Sequence, residues 1–297
     1  MYNKNPKLAS IIQIKALKED SKSETRPIFG MTILCSKLYV VTQKSSEIEV
    51  YDSVTCNSEP TWQIDEMANP LDIAACTTNN CLYIYDGKDE SEILRVDSSK
   101  TYLKKWFIKK DGGHLSVTRE GNVVVSLFHG NKITEYSPDG QLVREIRLSP
   151  IDNVSQPWHG IKTTSMHFIF SHGMSNGLQH RVCVVNADGK IIKSFGERKG
   201  SSFKEKRMNR PVHLLEDSLH NVLVADMNNK RVILLSPTLE YSKILVSAKD
   251  KSKLRFPMRL CLNEDRGILF VADNNYKMKK DVHTYDGGRI LIFNCNT

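Results

Sequence analysis

The chain has 297 residues, 40% hydrophobic and 26% charged, which suits a globular protein with a sizeable core and argues against disorder. Lys and Arg number 42 against 34 Asp and Glu, and the net charge of +8 favours anionic partners while also serving solubility. No stretch approaches the roughly 18 apolar residues of a membrane helix, and no uninterrupted apolar run marks a signal peptide, so no membrane contact is expected.

The seven cysteines form no C-x-x-C pair and no zinc-finger array. Several sit in apolar runs, such as V-C-V-V around Cys183, where a thiol acts as a small hydrophobe. A reducing, cytoplasmic setting is the expectation.

In chain order, an isolated β-rich segment, Leu8–Leu17, comes first. Six similar units follow. The first holds Pro27, L-Y-V-V at Leu38–Val41 and E-I-E-V-Y at Glu47–Tyr51. The second holds Pro70, L-Y-I-Y-D at Leu82–Asp86 and I-L-R-V-D at Ile93–Asp97. The third holds Gly113, V-V-V-S at Val123–Ser126 and K-I-T-E-Y at Lys132–Tyr136; the fourth holds Pro157, Phe168–Ser171 and Arg181–Val185. The fifth reads N-R-P-V-H from Asn209, then V-L-V-A-D at Val222–Asp226 and K-R-V-I-L-L at Lys230–Leu235. The sixth reads L-R-F-P-M-R from Leu254, then I-L-F-V-A-D at Ile268–Asp273 and G-R-I-L-I-F at Gly288–Phe293.

Turn pairs such as Asp139-Gly140 and Asp188-Gly189 separate the β-rich runs. A period of roughly 40–45 residues carrying four strands is that of a propeller blade. The fold class expected is therefore all-β: one six-bladed β-propeller over residues 1–297, with blades starting near 26, 69, 112, 156, 209 and 255. The last unit stops at Phe293, after its third strand, so residues 8–17 are expected to supply its outer strand and close the ring.

The string P-V-H-L-L-E-D-S-L-H-N-V-L-V-A-D-M-N-N-K-R-V, from Pro211 to Val232, resembles an NHL repeat, as does Pro257 through Asp273. The array is similar to the C-terminal propellers of tripartite-motif NHL proteins. The resemblance implies recognition of RNA or protein targets, with protein targets tied to a ubiquitin-ligase assembly. Ligase activity resides in a RING domain, and this chain carries no such Cys/His array.

In a propeller, the loop entering the first strand of a blade and the loop leaving the second lie on one side of the disc. That side gathers Arg207, Arg210, Lys230, Arg231, Arg255, Arg259 and Lys277, with Tyr276 as a platform for an unpaired base. The other side carries acids such as Asp139, Asp188, Glu264 and Asp265. The expected partner is single-stranded RNA or an acidic protein surface. Asp226 and Asp273, which end second strands, are expected to bond backbone N–H groups rather than act chemically.

At the start of the inner strands, Phe29, Asp72, His114, His159, His213 and Arg259 are expected to ring the channel mouth. The NHL-like peptide-amidating lyases hold zinc on channel histidines, which makes a metal-dependent lyase a third reading. The cation at Arg259 and the cytoplasmic expectation oppose it. With no G-x-S-x-G, P-loop or H-E-x-x-H motif, the chain is expected to be no enzyme and to need no cofactor or metal.

Overall fold

The computed structural model describes residues 6–13, 26–87, 91–99, 102–108, 113–148, 156–164, 167–173, 179–196, 207–279 and 282–295. These residues form six antiparallel four-stranded sheets, each a blade. Blade 1 runs Ile28–Leu34, Lys37–Thr42, Glu47–Asp52 and Ser58–Gln63. Blade 2 runs Pro70–Cys76, Cys81–Asp86, Glu92–Asp97 and Tyr102–Phe107. Blade 3 runs Gly113–Val117, Val123–Leu127, Lys132–Tyr136 and Leu142–Arg147, and blade 4 Pro157–Lys162, Phe168–His172, Arg181–Val185 and Ile191–Phe195. Blade 5 runs Pro211–Glu216, Val222–Asp226, Arg231–Leu235 and Tyr241–Ser247. Blade 6 runs Phe256–Asn263, Ile268–Lys279 and Val282–Asn294, and takes Lys7–Gln13 as its fourth strand.

The burial of each strand follows its place in the blade. Second strands such as Cys81–Asp86 and Val222–Asp226 are buried at every position, because a blade has a neighbour against each face. Outer strands are wetter: Ser58–Gln63 buries only Trp62, whose ring meets Tyr39 edge-on at 4.8 Å.

The core is divided among the blade junctions. One apolar cluster joins Val41, Ile48 and Val50 of blade 1 to Ile73, Leu82 and Ile84 of blade 2. Another packs Ile28, Leu38 and Val40 of blade 1 against Phe270, Ile290 and Ile292 of blade 6, which seals the ring. The closing strand pairs Leu8 with Phe293 and Ile12 with Ile290, and Ile12 packs against that seal. The closing strand spans Lys7–Gln13; positions 14–17 of the expected segment lie outside the described residues. Cys76, Cys81, Cys183, Cys261 and Cys295 are buried in strands or against them, as small apolar side chains.

Candidate functional site

Two features set the chemistry of the first-strand side: loop anchors and an inner ring. Asp86 and Asp226 end the second strands of blades 2 and 5, Asp273 stands at the matching position within the longer second strand of blade 6, and all three are fully buried. Asp86 accepts N–H bonds from Ala68 and Asn69, Asp226 from Asn209, and Asp273 from Arg255 and Phe256. These carboxylates tie each entry loop to its blade, in line with the backbone-bonding role the sequence predicts. Arginines complete two of the anchors. Arg231 stands directly across the strands from Asp226, bonds it at 2.7 Å and also holds Arg207 O. Arg289 stands across from Asp273, bonds it at 2.8 Å and reaches Ser252 O and Lys253 O. Arg255 joins the same carboxylate at 3.3 Å. Burial pushes the Asp226 carboxyl up, and the Arg231 guanidinium opposes that rise.

Most inner strands enter through a bulge, as between Pro70 and Asp72, Pro211 and His213, and Pro257 and Arg259. The residue closing the bulge joins the ring. In blade 1 the skip lies between Ile28 and Gly30, so Gly30, not Phe29, holds the ring position. A Cβ on Gly30 would lie 2.6 Å from Ile73 N and 2.9 Å from Asp72 C, closer than real side chains approach. Blade 1 thus contributes close-packed backbone where the spacing predicts an aromatic side chain.

Three of the other members, Asp72, His159 and His213, clasp the next blade. Asp72 Oδ2 accepts the N–H of Leu115 in blade 3 at 3.0 Å. His159 Nδ1 accepts that of Leu214 in blade 5 at 3.3 Å, and His213 Nδ1 that of Leu260 in blade 6 at 3.4 Å. Each captured N–H belongs to the residue after the next blade's ring member. Arg259 Nε donates to Asp72 Oδ1 at 3.2 Å, its Nη1 to Met258 O at 2.9 Å, and its Nη2 to His114 Nδ1 at 2.7 Å. Arg259 and His114 sit on blades three apart, so this contact crosses the centre of the ring. Both Asp72 and Arg259 are 1% exposed.

Burial lowers the pKa of all three histidines, His159 to about 3 and His213 well below its usual value, with the Arg259 guanidinium adding to the shift. For Asp72, burial would raise the carboxyl, but Arg259 and His114 outweigh it and hold Asp72 well below the usual carboxylate range. At neutral pH the ring is one ion pair among neutral imidazoles. His159 spends both ring nitrogens, Nδ1 on Leu214 and Nε2 on Leu115 O at 3.1 Å, which leaves it no lone pair for a metal. Among the described residues, no group of three or more His, Cys, Asp or Glu side chains is placed to hold a metal ion.

The structure divides the residues expected to bind RNA. Arg231 and Arg259 face inward, at 7% and 1% exposure, and Arg255 is committed to Asp273, so the first two present no charge to a ligand. Arg207 and Arg210 are half-buried beside the anchors, and Arg210 N bonds His180. Lys230 is exposed, with its ammonium 5.3 Å from the Phe256 ring centroid. Tyr276 and Lys277 lie on the two-stranded extension of blade 6, paired with Tyr285 and Thr284; their side chains lie outside what is described. The sequence reading missed Lys249 and Lys251, which stand exposed with Lys253 in the loop entering blade 6. Their signal was present as three lysines alternating along one turn-rich segment. Asp250 between them is turned to Ser247 N at 2.6 Å. On the opposite side Glu120, Asp139, Asp188, Glu240 and Asp265 are exposed.

No family model matches the chain, and no curated protein does. Solved structures do. Virginiamycin B lyase from Staphylococcus aureus aligns over 96% of this chain and 99% of its own at a TM-score of 0.63 and 10% identity. The PQQ-bound aldose sugar dehydrogenase from Streptomyces coelicolor aligns over 97% and 99% at 0.63 and 11%. A chain of a nidogen/laminin complex aligns over 80% and 93% at 0.57 and 13%. At such identities the likeness shows the fold: a six-bladed β-propeller, without support for the narrower NHL or tripartite-motif assignment. It also corrects the expectation that the chain is no enzyme. Propellers of this shape include a lyase and a dehydrogenase, so the lack of a short catalytic motif is no argument against catalysis.

Proposed function

We propose that this propeller binds a polyanion, single-stranded RNA, on the first-strand side of blades 5 and 6. One observation carries the reading. Lys230, Lys249, Lys251 and Lys253 are exposed together on that side, with Lys230 O accepting the Ala248 N–H of the neighbouring loop, whereas on the opposite side exposed acids are interspersed with exposed Arg119, Lys190 and Arg266. A half-buried arginine supports the reading indirectly. Arg289 holds Ser252 O and Lys253 O of the loop that presents Lys249, Lys251 and Lys253, so those charges stand on anchored backbone. Lysine ammoniums on phosphates release condensed counterions and bind without regard to sequence. Fluorescence anisotropy with labelled oligouridylate, duplex RNA and polyglutamate tests it. Saturable binding of the oligouridylate at low salt is expected. No binding of any RNA at low salt overturns the reading.

A second observation favours a protein partner. Phe107, Leu142, Val143 and Ile192 are 52–59% exposed on the outer strands of blades 2, 3 and 4. Such side chains on consecutive outer strands offer an apolar circumference to another protein. Crosslinking that maps a partner to these strands, with no RNA bound, would establish this reading instead.

A further inference from the structure

Cys76 ends the first strand of blade 2 and Cys81 begins the second, and the two stand directly opposite one another across the hairpin. Directly opposed residues of an antiparallel pair have Cα atoms about 4.5–5.5 Å apart, inside the range of about 4.4–6.8 Å that a disulfide spans. Opposed side chains leave the sheet on the same face, and both cysteines pack in the apolar cluster between blades 2 and 3. Opposed Cβ atoms, at about 4.5–5.5 Å, stand at the long end of the roughly 3.5–4.5 Å of a relaxed disulfide. A bond here draws the strand ends together, and a bond closed against such strain is more reducible than a relaxed one.

Each sulfur has donors beside it. Asn79 Nδ2 donates to Cys76 Sγ at 3.3 Å. The Tyr83 hydroxyl and the Arg95 guanidinium, which stands across the strands from Tyr83, lie against the Cys81 sulfur. Tyr83 Oη and Arg95 Nε are buried and have no other hydrogen-bond partner among the described residues. Burial pushes the Cys81 thiol up, and Arg95 and Tyr83 oppose that rise. A thiolate at either position thus meets an N–H or O–H, which favours both the attacking and the leaving sulfur of thiol–disulfide exchange. Access comes through the turn above the two cysteines, where Thr77, Thr78 and Asn80 are exposed. That turn also touches both neighbouring blades: Cys35 Sγ donates to Asn80 Oδ1 at 3.2 Å, and Thr78 Oγ1 to Arg119 O at 3.1 Å.

We infer that Cys76 and Cys81 form a reversible redox site, closed to a cross-strand disulfide by a small disulfide such as oxidised glutathione. One cysteine thiolate attacks the glutathione disulfide and forms a mixed disulfide, and the first glutathione leaves as a thiolate that takes up the proton the cysteine lost. The second cysteine thiolate then attacks the cysteine sulfur of the mixed disulfide, and the second glutathione leaves in the same way. Two protein thiols are oxidised to one disulfide, and one glutathione disulfide is reduced to two thiols. The new bond locks the turn that bridges blades 1, 2 and 3, on the side away from the lysines. The inference is independent of RNA binding.

The test uses the full chain with Cys35→Ser and Cys56→Ser, which removes the exposed and the half-buried thiol. The folded protein is incubated with oxidised glutathione, then unfolded in urea and alkylated. Trypsin leaves residues 45–88 as one peptide, because no Lys or Arg lies between Lys44 and Lys88. Mass spectrometry should show that peptide lacking two hydrogen atoms and carrying no alkyl group, with Cys183, Cys261 and Cys295 alkylated in full. Excess reduced glutathione, added before the urea, should restore two alkylation sites to the peptide. Cys76→Ser and Cys81→Ser should each abolish the internal bond. Should either variant misfold, the map of the chain that keeps both cysteines decides alone. Full alkylation of Cys76 and Cys81 after oxidation, a glutathione adduct that never resolves to the internal bond, or a bond that forms only when oxidation is carried out in urea would overturn the proposal.

Discussion

Arg259 of blade 6 bonds Asp72 of blade 2, Nε to Oδ1 at 3.2 Å, skipping blade 1, where Gly30 has no side chain to intervene. The pair is buried, so its value to stability lies in its completeness. Two desolvated charges roughly cancel their own attraction, whereas one left alone costs several kcal/mol.

That asymmetry gives the first prediction. Arg259→Met should destabilise the propeller by about 3–5 kcal/mol, because it strands a buried carboxylate. Asp72→Asn added to Arg259→Met should recover much of the loss. Urea unfolding of the two variants checks it; equal losses would show that Asp72 does not depend on Arg259.

The histidine clasps predict acid sensitivity. His159 has a folded pKa of about 3 and His213 one well below its usual value, while both titrate near 6.5 when unfolded. Between those limits the unfolded chain binds more protons, so stability is full above about pH 6.5 and falls as pH drops. The loss reaches up to about 1.4 kcal/mol per pH unit per histidine. Asp72 has a depressed pKa, so its contribution is lost only below the unfolded carboxylate range of about 4, a separate and lower window. Urea midpoints measured from pH 7 to 4 should decline steadily, and His159→Gln should flatten the decline. A flat profile in the wild type would contradict the clasp.

Ring closure predicts the effect of losing the first strand. Removing residues 1–13 would unpair the third strand of blade 6 and uncover the seal against which Ile12 packs and the cluster of blades 5 and 6 against which Leu8 packs. Half-burying two such side chains is worth about 1–3 kcal/mol, so the melting temperature should fall by several degrees or the protein aggregate. Calorimetry showing the same melting temperature would contradict a closing role for the strand.

The propeller was legible because a blade buried on both faces turns its strands into apolar runs, repeated six times in register. The ring was legible in five blades, where a proline or glycine marks the entry. It was misplaced in blade 1, where Ile28 pairs in the proline's place and shifts the bulge by one residue. The arginines were misread for another reason. Charge is visible in a sequence, but a cross-strand partner is visible only once the register is set. Asp226 faces Arg231 and Asp273 faces Arg289 directly, and opposed charges at such positions attract. In both blades the second strand carries Ala-Asp and the third carries Arg directly opposite that Asp, a signal that spoke for anchoring over phosphate binding.

A salt titration of RNA binding tests the central claim most directly. Lys249→Glu with Lys251→Glu changes two exposed residues, so stability should move by no more than about 0.5 kcal/mol each. If each lysine neutralises a phosphate, the slope of log affinity against log salt should shrink by about 0.7 for each lost contact. Asp139→Lys with Asp188→Lys, on the acidic side, should leave both affinity and slope unchanged. An equal slope and affinity in the lysine variant, or a gain from the acidic-side variant as large as the loss from the lysine variant, would contradict binding on the basic side of blades 5 and 6.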